Sequence, residues 1–98
     1  MNTTFRKDEE TILENVQRLD AAFDVDHEAR MVSYRFLSVV DERMEELGWN
    51  FKQLADALGT SKSHVTQLFN GSRLLNMKTI AKLQWILGIE FSVVLRKE

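Results

Sequence analysis

The chain contains no cysteine and no proline, and only four glycines. Without cysteine there are no disulfides and no thiolate metal sites. The two histidines, His27 and His64, stand alone, and no metal-ligand spacing surrounds either. No metal and no cofactor is expected. No apolar run reaches the roughly 20 residues of a membrane span. The polar, acidic N-terminus does not read as a secretory signal. A cytoplasmic protein without a membrane partner is the expectation. No nucleophile–base pair, carboxylate dyad or phosphate loop stands out, so the chain is not expected to be an enzyme and no catalytic residue is assigned.

What is present is a core's worth of apolar residues and an uneven charge. At 98 residues, 44% hydrophobic, the chain has material for one compact domain. A domain of this size is marginal by itself, which makes association with a second copy a reasonable expectation. The net charge of −2 conceals a split. Residues 1–50 carry twelve acidic and six basic side chains, a net of −6. Residues 51–98 carry three acidic and seven basic ones, a net of +4. No acidic residue occurs between Gly59 and Leu87. Local charge governs phosphate binding more than the total does.

Each glycine falls where a helical pattern stops, as suits a residue that takes left-handed angles at helix ends. Over residues 8–23, Ile12, Leu13, Val16, Leu19 and Phe23 form one amphipathic stripe. Asp26 is placed to cap a second helix over residues 28–47. Its apolar face carries Phe36, Leu37, Val40, Met44 and Leu47. Asn50 with Gln53 reads as a capping box, with Trp49 and Leu54 as its hydrophobic staple. A helix is expected over 51–58. Ser61 caps another over 62–69, and Asn76 caps a last one over 77–87. Trp85 lies off the stripe of Ile80, Leu83 and Leu87; packing in the core is the leading expectation, with packing on the N-terminal helix or a dimer contact as the alternatives. Residues 89–96 alternate apolar and polar with β-branched members, the pattern of a strand. The expected fold is therefore all-α, about five helices with a short C-terminal β-strand. Residues 1–30 form an acidic helical extension, 31–89 the main domain and 90–98 the strand.

The helices over 51–58 and 62–69 meet the demands of a helix-turn-helix. Ala55 is small enough for the second helix to cross it. Gly59 supplies the turn. Leu54, Leu58, Val65 and Leu68 provide the inner faces. On the second helix, Val65, Leu68 and Phe69 share one side by helical spacing. Lys62, Ser63, Thr66, Gln67 and Asn70 fall elsewhere. These side chains are of the types that hydrogen-bond base edges or phosphates in a major groove of double-stranded DNA. The alternative is an interaction module with the same scaffold and no DNA binding, and the charge split speaks against it.

The stretch "NFKQLADALGTSKSHVTQLFNGSRLLNMKTIAKLQWILGI" resembles the phage repressor/Cro-type helix-turn-helix, the XRE family. The resemblance covers residues 36–89 and implies a lambda-repressor-like bundle that acts as a transcriptional regulator, chiefly a repressor. It places Lys62 and Ser63 at positions that read base edges, and Thr66 and Gln67 at further groove-facing positions. Arg73, in the next loop, matches a position that reaches base or backbone. Asn50, Asn70 and Asn76 match positions near phosphates. Family members often carry Gln where Lys62 stands. Lysine favours guanine acceptors or phosphate over adenine, so base preference differs there. A lone strand is unstable. Pairing with the same strand of a second copy is expected to give a homodimer with half-sites about one DNA turn apart. The other possibility is that the tail packs on its own domain. The resemblance also leaves two roles open for the acidic extension: binding a toxin protein, as in antitoxins, or simply stabilising the fold.

Overall fold

The computed structural model describes residues 2–19 and 23–95, with side chains over 9–19 and 23–95. Five helices follow one another: α1 (Asn2–Arg18), α2 (Val25–Leu47), α3 (Phe51–Leu58), α4 (Lys62–Asn70) and α5 (Met77–Leu87). The last three coincide with the expected ranges to within one residue. The first two start earlier. α1 begins at Asn2 and stops at Arg18, so Phe23 lies outside it. α2 is capped by Asp24, not Asp26. Asp24 takes an extended backbone and its carboxylate accepts from the His27 N–H at 3.0 Å. Asp26 and Glu28 then sit in the first turn, where negative charge suits the positive end of the helix dipole.

The core lies under α2–α5. Val40, Met44, Leu54, Ala55, Leu58, Val65, Leu83 and Leu87 are buried together. α3 packs against α4 and α5, and α2 packs against α5. Only the C-terminal half of α2 joins the cluster, through Val40 and Met44, with Leu37 buried one turn before them. Arg43 donates from Nε to the Leu87 carbonyl at 2.8 Å. That bond satisfies one of the last acceptors of α5 and ties its end to α2. Among the described residues, α1 contributes none to the core cluster. Ile12, Leu13, Val16 and Leu19 remain 46–62% exposed. The radius of gyration, 17.5 Å, exceeds the roughly 13 Å of a compact domain of this length.

Two expectations fail. No strand occurs among the described residues, and 89–95 is irregular chain. A ladder needs a neighbour, and this tail docks on helices instead. Phe91 donates its N–H to Gln84 Oε1 at 2.9 Å. Its ring meets Phe36 edge-on, with centroids 4.6 Å apart. Beyond it Val93, Val94 and Leu95 are all more than 80% exposed, so no alternation of inner and outer faces develops. Residues 96–98 lie outside the described residues. The strand on which a homodimer was expected to form is therefore absent from the fold. Trp85 is not in the core either, being 89% exposed on the outer face of α5.

Candidate nucleic-acid interface

The interface candidate is built on α3 and α4. At its entry the Asn50 side chain accepts from Gln53 N–H at 2.9 Å, and Gln53 Oε1 accepts from Asn50 N–H at 2.8 Å. This reciprocal pair satisfies two donors at the start of α3. Ala55 is 1% exposed; a larger side chain would hold α4 away. Gly59 follows at φ +73°, in the left-handed region, which lets the chain reverse at once. The Thr60 N–H closes the end of α3 on the Ala55 carbonyl at 2.9 Å. Ser61 then starts α4, its hydroxyl accepting from His64 N–H at 3.1 Å. Phe51 and Phe69 stack at 4.7 Å and pin the start of α3 to the end of α4.

The burial of α4 separates two faces. Val65 and Leu68 point into the core at 0% and 4% exposure. Lys62, Ser63, Thr66 and Asn70 are exposed. Gln67 is half-buried and engaged: its Oε1 accepts from Arg73 Nε at 2.7 Å, and its carbonyl accepts from Arg73 N–H at 3.1 Å. The pair orients the Arg73 guanidinium beside the last turn of α4 and fixes the amide orientation of Gln67. Lys62 makes no ion pair among the described residues; the two pairs there are Arg43–Glu46 and Lys52–Asp56. The exposed side of α4 is thus cationic and polar.

The three asparagines carry structural work of their own. Asn50 and Asn76 are N-caps, the latter accepting from Thr79 N–H at 2.8 Å. Asn70 Oδ1 accepts from Ser72 N–H at 2.9 Å and shapes the loop after α4. In each case it is the side-chain oxygen that accepts, and these bonds make no use of the amide NH₂. All three are exposed.

Other residues border this surface. His64 is half-buried and lines a cleft of about 190 Å³ with Gly59, Thr60, Thr79 and Lys82. Tyr34 and Arg30 of α2 approach Gly71, just past the end of α4. Only the packing of α2 on the rest of the domain brings them there.

Two short helices joined by a tight turn, the second with an acid-free polar face, define a helix-turn-helix DNA-binding domain. A family model described as helix-turn-helix matches residues 40–94, over half of the chain. The chain belongs to that family, in its XRE type, and is a DNA-binding transcription regulator. The match begins within α2, so α1 and the first turns of α2 lie outside it. No curated protein and no solved structure matches the chain. No helix among the described residues is long and apolar enough to cross a membrane.

Proposed function

We propose that the protein is a non-enzymatic, cytoplasmic repressor that binds operator DNA as a homodimer and reads the major groove with α4. The observation that carries this reading is the exposed face of α4. Lys62, Ser63 and Thr66 project from a helix whose opposite side is locked into the core, and no acidic residue lies between Gly59 and Leu87. Lys62 and Ser63 start the helix that would enter the groove. Gln67 with Arg73 follows at its far end. Asn50, Asn70 and Asn76 offer amide donors to phosphates on either side. Selection from a random duplex pool, followed by gel shifts, tests the assignment. The wild-type chain is expected to enrich a sequence and to bind it less tightly as salt rises. Lys62→Ala, Ser63→Ala and Gln67→Ala together are expected to remove the selectivity with little change in melting temperature. Unchanged selectivity would refute the role of α4.

The homodimer rests on apolar surface, not on a strand. Ile12 and Val16 on α1, Leu19 just past its end, and Val25, Val32 and Val39 on α2 are 38–62% exposed. Val25, Val32 and Val39 recur at heptad spacing. A fully exposed side chain of this size carries roughly 100 Å² of apolar surface. With their apolar neighbours, these residues leave on the order of 500 Å² to cover. A standard interface buries about 800 Å² per partner, and homodimer interfaces are about 65% apolar. The two figures agree, which favours a second copy as the occupant. Sedimentation of the purified chain should give the dimer mass. A monomer that binds DNA would instead leave this surface to another partner, as in the antitoxin reading, where a toxin protein occupies it.

A further inference from the structure

The loop after α4 is held from outside the matched segment. A Cβ placed on Gly71 would lie 2.5 Å from the Tyr34 hydroxyl oxygen and 3.3 Å from Arg30 Cδ. Both residues belong to the first turns of α2, ahead of residue 40, where the family match begins. The Arg30 stem therefore packs beside Gly71, which directly follows Asn70 in the chain and shares the short loop with Arg73. Arg30 is half-buried. Among the described residues its guanidinium takes part in no ion pair, and Asp26, one turn back on the same face, is exposed and makes none with it.

A packed stem confines an arginine's reach, and an unengaged fork leaves its donors open to a ligand. Its five donors suit a phosphate bidentately. We propose that Arg30 is a DNA-phosphate contact contributed by the N-terminal extension, with Tyr34 as the positioning residue that seats the Gly71 loop beside it. The inference rests on the reading that α4 and its following loop face DNA. It assigns to the acidic half of the chain a share in the DNA surface that its net charge conceals. The contact is to backbone, so it adds affinity and no sequence preference.

The test uses the full chain and the duplex chosen by selection, with affinity measured by fluorescence anisotropy over a salt series. Arg30→Met keeps the stem and removes the charge. It should weaken binding roughly three- to tenfold per protomer at low salt, as expected for one charged hydrogen-bonded contact at a surface, and so roughly ten- to a hundredfold for the dimer. It should also lower the slope of log affinity against log salt by about 1 per protomer, about 2 for the dimer. Selected and unrelated duplexes should lose affinity alike. Arg30→Lys should restore most of the slope. Arg30→Gln serves as a second uncharged variant if Met lowers the melting temperature. A full wild-type slope in either folded, uncharged variant overturns the proposal, as does a loss confined to the selected sequence. If wild type shows no salt-dependent DNA binding, the underlying reading of α4 fails instead.

Discussion

Gly71 offers a way to weigh the contact between α2 and the loop after α4. Gly59 and Gly71 both adopt left-handed angles, φ +73° and φ +84°. Alanine at either position carries a penalty of roughly 1–2 kcal/mol from backbone sterics alone. The surroundings differ. Around Gly59 nothing lies within 4 Å of an added Cβ, whereas at Gly71 the Tyr34 oxygen is 2.5 Å away. Ordinary contact needs about 1 Å more. Tyr34 rises from a helix, where few χ1 rotamers are open, so it must tilt off a favoured rotamer. That adds on the order of 0.5–1.5 kcal/mol. Gly71→Ala should thus cost about 1 kcal/mol more than Gly59→Ala. In a chain of this size the difference corresponds to roughly 5 °C in melting temperature. Tyr34→Phe removes the clashing oxygen and leaves the ring carbon at 3.4 Å, a tolerable separation. In that background most of the excess at Gly71 should be lost, leaving only the Arg30 Cδ contact at 3.3 Å, and a double-mutant cycle should give a coupling energy approaching about 1 kcal/mol. Melting followed by helical circular dichroism, with urea unfolding as a second measure, reads all the variants. Equal losses at Gly59 and Gly71, or no coupling to Tyr34, would show that this contact does not constrain the loop.

Two smaller perturbations separate structural from DNA-contacting roles. Asn50→Asp keeps an acceptor for Gln53 N–H, so the melting temperature should hold to within a few degrees. The added negative charge should nonetheless weaken DNA binding severalfold if Asn50 lies near phosphate, and gel shifts at low salt would detect it. Ser33 is 6% exposed and its hydroxyl has no hydrogen-bond partner among the described residues. Ser33→Ala removes that unsatisfied group with little loss of volume. It should raise stability by about 1 kcal/mol; a clear loss in urea unfolding would mean that the hydroxyl is bonded in solution.

Much of the domain was legible before any coordinates, because its signals are local. Helix ends are set by bonds between residues a few positions apart. Asn50 with Gln53, Ser61 with His64 and Asn76 with Thr79 behave as their spacing predicts. The inner faces of α3 and α4 follow from periodicity alone. The cap of α2 is ambiguous in the sequence because two aspartates, Asp24 and Asp26, both precede the apolar pattern. Either could have capped it by type. The candidate site was legible as a set of residue types on one face of α4. What each side chain bonds to was legible only for the caps.

The amino-acid sequence by itself determined the helix-turn-helix, the acid-free polar face of α4 and the helix boundaries around it. It did so because capping, turn conformation and helical periodicity act within one or two turns of chain. The tertiary structure alone decided the fate of residues 89–95, where alternation promised a strand. A strand exists only with a partner, and here Gln84 takes the Phe91 N–H while Phe36 takes the ring. It also set Trp85 on the surface, joined Gln67 to Arg73, and brought Arg30 and Tyr34 against Gly71. These are contacts between distant segments or across a loop. No periodicity encodes them, since they arise only when separately formed helices close over a shared core.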